Sequence, residues 1–337
     1  MASDDDDDDG WEDFDDSDGE EEMVDNVVVV SDDQMLWKGL RSVRCKRRRI
    51  RRAGKKRNVE RFEGHFGCKP AILCQVFEDL QRTAVAEDRV PPDSARLEKF
   101  LMAMHAPKRC PTEVEREPMF DIDPQTGRDW AWHFLEKIQA LKVERIRWPE
   151  DRFGTDVWVI SVDGVHMWIN EPGHPEWSQD SKHFSHKHGE AGAMHELGIA
   201  LSVNRLVWMN GPHPAGHSDN NVFKKKGLKS LLRQEGKMAI GDGGYPGHPK
   251  EMSVPNAYDS KGVKRFKSRA LKRHETFNNL IKNFDCLSGR FRHDLEKFKT
   301  CFEAVCVLCQ YKLAFGQPLF DILIDGMEDY ERDFDNV

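Results

Sequence analysis

The chain has 337 residues and a formal net charge of −8, enough for one large domain or two smaller ones with proper cores. Its longest apolar runs, such as VVVV at 27–30, are far too short to span a bilayer, and its start lacks the apolar core of a secretory signal. The acidic total hides a segregated charge: residues 1–37 hold seventeen Asp and Glu and no Lys or Arg, 321–337 hold seven acids against Arg332, and 38–320 carry a net +15, as expected of a protein that meets a polyanion.

Residues 1–37 form an acidic tail that cannot bury itself and is predicted to be disordered through residue 33. The basic segment 38–60 is its opposite, with KRRRIRRAGKKR at 46–57. Such a run serves nuclear import, phosphate binding or both, against the plainer reading of a solvated linker paired with the acids in front of it. Residues 61–149 read as a helical domain. CKPAILCQVFEDL gives an amphipathic helix with Ile72, Leu73, Val76, Phe77 and Leu80 inward. A second helix spans 94–105 with Ser94 near its cap, and a third spans 129–141. Three helices with short connections suit a helix-turn-helix module or a plain bundle, with Pro118 and Gly127 interrupting the expected helix starts. Trp148-Pro149 closes this segment as a domain boundary.

Beyond it, VWVISV at 157–162 reads as a strand buried on both faces, ending in Asp163. Gly164 then permits a turn into a second strand at 166–169. Strands are predicted at 194–203 and 205–209, a helix over 222–234, and a short strand at 237–241 that runs into Asp242. Helices over 268–285 and 295–315 complete an α/β arrangement, a mixed sheet with helices packed on it over 150–318, before an acidic C-terminal tail at 319–337. The eight cysteines form no paired CxxC ladder; Cys301, Cys306 and Cys309 fall on an apolar helical pattern and read as reduced core residues. His183, His186 and His188 suit a loop lining a DNA channel better than a zinc site.

A carboxylate ending a buried strand is costly unless paired, hydrogen-bonded or bound to metal. Asp163 and Asp242 share that position, and on adjacent strands they would repel each other without a cation. Glu275, inside a basic helix, supplies a third oxygen donor; three carboxylates suit Mg²⁺ or Mn²⁺. A pair of such ions activates a water or a 3′-hydroxyl in phosphodiester transfer. Arg269, Lys272, Arg273, Lys282, Arg290 and Arg292 would hold the DNA phosphates that bare carboxylates repel. His166 and Asp219 are accessory candidates: His166 to orient a carboxylate, contact phosphate or simply pack, Asp219 to assist a metal or, preferably, to cap the helix near Val222.

The motifs DGVH at 163–166, PAGHSD at 214–219, GDGGYPG at 241–247 and RHETFNNLIKNFDCLSGRFRH at 273–293 resemble the Asp-Asp-Glu nuclease domain of Harbinger-type (PIF/Harbinger) DNA transposases. That resemblance implies a ribonuclease H-like fold over 157–315, with Asp163, Asp242 and Glu275 at the three metal-binding positions and 78 and 32 residues lying between them. It further implies DNA cutting and strand transfer, a nuclear location, a homo-oligomer, no membrane, and often a separate Myb-like partner for end recognition. The segment 94–148 is similar to the helix-turn-helix region preceding such nucleases. The competing expectation is a host-retained DNA- or chromatin-binding protein on a purely structural nuclease scaffold. A ribonuclease or a structure-specific repair nuclease on the same fold is the third.

Overall fold

The computed structural model describes residues 22–24, 27–86, 95–149, 153, 156–170, 181–187 and 189–322. The acidic stretches 1–21 and 323–337, Ser94 and His188 lie outside the described residues. Two compact units emerge, residues 1–140 with 284–286 and residues 141–283 with 287–337.

The first unit is helical apart from a two-stranded ribbon, β1 (Glu22–Val24) against β2 (Val27–Val29). Its helices are α1 (Asp32–Ser42), α2 (Arg47–Arg51), α3 (Lys55–Phe66), α4 (Pro70–Ala86), α5 (Ala95–Arg109), α6 (Glu113–Phe120) and α7 (Pro124–Ala140). Two expectations are corrected here, and one alternative, the basic linker, is removed. Order begins well before residue 38. Ser31 and Gln34 form a capping box at the start of α1, and the Gln81 side chain bonds both the N–H and the C=O of Val28, clipping β2 to α4. The basic segment is also no linker, since α2 and α3 are built from it. Pro118 and Gly127, expected to interrupt helix starts, do not do so. Both lie inside helices, α6 capped by a Thr112–Glu115 box and α7 already under way at Pro124.

The second unit opens with the single turn α8 (Lys142–Arg145) and is then organised on a mixed sheet. Its strands are β3 (Trp158–Trp168), β4 (Phe184–Ser185), β5 (Glu190–Ala200), β6 (Leu206–Pro214), β7 (Met238–Ile240) and β8 (Met252–Ser253). The helices are α9 (Asp219–Lys225), α10 (Leu228–Glu235), α11 (Lys261–Lys282) and α13 (Leu295–Phe315), while the turn α12 (Asp285–Ser288) begins among the residues of the first unit. Spatially the order is β4-β5-β3-β7-β8, with β6 also paired to β5. The first strand, β3, is therefore central: antiparallel to β5 on one side, parallel to β7 on the other.

The predicted turn at Asp163-Gly164 does not exist. β3 runs straight through it, and Asp163 and Gly164 pair with Leu197 and Glu196 of β5. Gly164 is required for space instead: a Cβ there would collide with Asp219 Oδ1 and approach Met194 Sδ to 2.8 Å. The predicted helix over 222–234 is two helices, broken where Gly227 takes φ +105°. One core lies between the sheet and α9–α10, with Val159, Val162, Phe223, Leu228, Leu232 and Tyr245 buried together. On the α11 side, Trp158, Ile240, Val263, Phe266 and Ala270 form a second cluster, with Trp158 stacked on Phe266. α13 is almost entirely buried, including Cys301, Cys306 and Cys309, and burial pushes the Cys306 thiol up; these sulfurs are core packing. Among the described residues no helix is long and apolar enough to cross a membrane.

Candidate functional site

Register brings the first two acids together. Ser161 of β3 pairs with Ile240 of the parallel β7, and Asp163 and Asp242 each follow two residues later. Because side chains alternate along a strand, Asp163 returns to the face that carried Ser161, while Asp242 lies just past the end of β7, close enough for its charge to act on Asp163. α11 covers that face. Ser161 Oγ meets His274 Nδ1 at 3.0 Å, and one turn further Asn278 Nδ2 donates to Asp163 Oδ2 at 3.0 Å. The other oxygen of Asp163 accepts from the Gly164 N–H at 2.9 Å.

Asp219 joins them from the start of α9. Ser218, not Asp219, is the cap of that helix, its hydroxyl accepting from the Asn221 N–H at 3.3 Å. The preferred reading of Asp219 as a cap is thus corrected, and its carboxylate is released to lean on Gly164 and Gly244. A Cβ built at Gly244 would lie 2.9 Å from Asp242 Oδ1 and 3.5 Å from Asp219 Oδ2. The electrostatics report the same cluster. Burial and then the charges of Asp219 and Asp242 push Asp163 up to about 6, while the Gly164 and Asn278 hydrogen bonds restrain it. Asp219 is raised as well, by burial and then by Asp242.

Two members of the site escaped the sequence reading. Glu196, cross-strand from Gly164, is 1% exposed. Trp208 Nε1 donates to its Oε2 at 2.9 Å, its Oε1 has no hydrogen-bond partner among the described residues, and burial drives it up to about 7. A lone glutamate in the apolar run MHELGIALSV was the available signal. Tyr245, buried at the end of the DGGY turn, has its hydroxyl without a hydrogen-bond partner among the described residues; burial and the charges of Asp219, Glu196, Asp163 and Asp242 all raise it.

Glu275 sits on α11, one turn before Asn278, and is exposed. No charge from it raises Asp163 or Asp219, and among the described residues no three His, Cys, Asp or Glu side chains form a ready metal cage. The donor chemistry nonetheless fits a hard divalent cation. Asp163, Asp219 and Asp242 are hard oxygen donors whose mutual repulsion a cation relieves, and Mg²⁺ commonly takes only one or two carboxylates along with water and substrate phosphate.

The predicted phosphate contacts divide. Arg273 is 2% exposed and donates to the carbonyls of Ala200, Val203 and Phe320 and to Asn204 Oδ1. Arg269 is half-buried and donates to the carbonyls of Asp321 and Ile322. Both are structural anchors, which corrects their assignment to DNA. Arg290 pairs with Glu190 at 2.7 Å. Lys272, Lys282 and Arg292 are exposed. His166 packs its ring over Gly192, where a Cβ would overlap it. His183 is buried, and His186 lies edge-on to Phe184.

No curated protein and no solved structure matches the chain. Residues 162–310, a stretch that contains Asp163, Glu196, Asp219, Asp242, Glu275 and Asn278, are similar to the DDE superfamily endonucleases.

Proposed function

We propose that the second unit is a divalent-metal-dependent DNA nuclease of the Harbinger transposase type on a ribonuclease H-like sheet, performing phosphodiester hydrolysis and strand transfer in the nucleus. The observation that carries this reading is the convergence of Asp163 in the middle of β3, Asp242 just past the end of the parallel β7 and Asp219 at the start of α9, with Asp163 raised to about 6 by burial and by its two neighbours. The central first strand, antiparallel on one side and parallel on the other, supports the fold assignment, and the DDE endonuclease likeness supports the chemistry. Asp163 and Asp242 would hold Mg²⁺ or Mn²⁺, with Glu275 on α11 as the third ligand and Asp219 beside them. The cation, when bound, supplies charge neutralisation at the phosphate and an activated oxygen nucleophile. The chain's own part is to orient Asp163 through Asn278 and to hold DNA phosphates with Lys272, Lys282 and Arg292. A Myb-like partner and self-association would complete end recognition.

The test is nicking of terminal-repeat duplex DNA with Mg²⁺ or Mn²⁺ by wild type and by Asp163→Ala, Asp242→Ala and Glu275→Ala. Loss in all three supports the triad; equal rates in all four proteins remove it. One observation favours a second reading, a DNA-binding protein without catalysis: Glu275 stands exposed and joins no cage among the described residues. DNA affinity indifferent to divalent cation would select that reading.

A further inference from the structure

The helical unit carries a groove of about 380 Å³ lined by Lys46, Arg48, Arg49, Arg52, Arg57 and Arg61, with no acid on its walls. The run that supplies these cations is folded. Ile50 and Asn58 are both 0% exposed. Asn58 Nδ2 donates to the carbonyls of Ile50 at 2.9 Å and Ala53 at 3.0 Å, tying α2 to α3. Arg61 closes the same junction, its guanidinium donating to the Arg49 carbonyl at 3.3 Å and to Asn58 Oδ1 at 3.1 Å.

The remaining five cations are exposed, and their side chains make no hydrogen bond or ion pair among the described residues. Arg48 on α2 and Arg52, the residue that caps its end, are one helical turn apart, as are Arg57 and Arg61 on α3. Two short rows of like charge, held side by side by a buried amide, repel each other and gain nothing from the fold. The positive charge is spread along two helical rows rather than gathered at one point. It suits successive phosphates along a strand better than one small anion, and guanidinium forks are well matched to phosphate oxygens.

We propose that this groove is a shaped, sequence-independent seat for the sugar–phosphate backbone of duplex DNA. The identity of the polyanion rests on the proposed nuclease function; the seat itself does not need the acids of the second unit.

The experiment is fluorescence anisotropy of a labelled duplex of about 20 base pairs and arbitrary sequence, with the full chain in EDTA, from about 50 to 200 mM salt. Arg49→Ala/Arg52→Ala/Arg57→Ala, all surface changes, should flatten the slope of log affinity against log salt by about 3, with binding at least about tenfold weaker at low salt. Asn58→Ala keeps every charge and loses only the tie between the helices, so it should weaken binding too. An unchanged slope in the triple variant overturns the proposal. So does an Asn58→Ala protein that folds and binds like wild type, because the charge would then act without shape. Preference for an Asp/Glu-rich peptide over the duplex also overturns it. If Asn58→Ala fails to fold, the triple variant decides. Intact duplex binding with failed nicking removes the nuclease reading alone; intact nicking with an unchanged salt slope removes the groove alone.

Discussion

Asn278 Nδ2 donates to Asp163 Oδ2 at 3.0 Å, so one hydrogen bond joins the central strand's acid to the helix that also carries Glu275. The bond stabilises the charged carboxylate and offsets part of the rise imposed by burial, Asp219 and Asp242. Asn278→Ala is expected to push Asp163 further up, so a greater share is protonated at neutral pH. The acid limb of a nicking pH profile should move to higher pH, with about a tenfold loss of rate near pH 7, the worth of one hydrogen bond to a charged group. A profile that superimposes on wild type rejects a positioning role for Asn278.

Glu196 has a stability signature of its own. Its folded value of about 7 lies above the ordinary 4.5, so from 4.5 to 7 the unfolded chain binds fewer protons than the folded one. Stability therefore falls across that window as pH rises, by up to about 1.4 kcal/mol per pH unit, and levels off above it. Glu196→Gln removes the ionisation and can still accept from Trp208. Thermal melts should show the variant gaining on wild type at pH 8 and not at pH 5; equal differences at both would place the carboxyl in a wetter setting.

Gly164→Ala tests the close approach of Asp219. The added methyl group would displace the Asp219 carboxylate and press on Met194. Nicking is expected to fall about a hundredfold, as for other misplacements of about 1 Å in a catalytic group. Retained near-wild-type activity would mean that Asp219 contributes nothing where it stands.

Arg273 and Lys282 occupy the same helix and should behave oppositely. Arg273→Met leaves several carbonyl acceptors without their donor and is expected to cost about 3 kcal/mol in urea denaturation. Lys282→Ala should leave the urea midpoint unchanged and weaken DNA binding in a salt-dependent manner. An exchange of those two phenotypes would reverse the assignments.

His274 predicts part of the acid limit of the fold. Burial holds it down at about 3 against an ordinary 6.5, and its Nδ1 lies against Ser161. The unfolded chain binds the extra proton first, so stability drops as pH falls from 6.5 towards 3. His274→Gln should flatten that decline in denaturant titrations at pH 4 to 7, even if it lowers stability at pH 7.

The strand ending near Asp242 and the helix 295–315 were legible because their apolar patterns are local and unbroken. Asp-Gly at 163–164 misled because its local preference for a turn is weaker than the register with β5, which no local pattern reveals. α11 begins at Lys261 rather than 268 because its first turns are mostly Lys, Arg and Gly, although Ser260 caps them. Arg273 looked like a surface cation for a related reason. Its burial depends on the β5–β6 turn some 70 residues earlier in the chain, where Ala200, Val203 and Asn204 wait for it. The acids at 163 and 242 were found through their strands, whereas Glu196 and Tyr245 become members only through the sheet and the loop that enclose them.

The anchorage of Phe320, Asp321 and Ile322 by Arg269 and Arg273 sets a practical edge to this unit. A shortened chain ending just after α13 would strip acceptors from both guanidiniums and loosen the β5–β6 corner that Arg273 also grips. One ending after Ile322 keeps the latch whole.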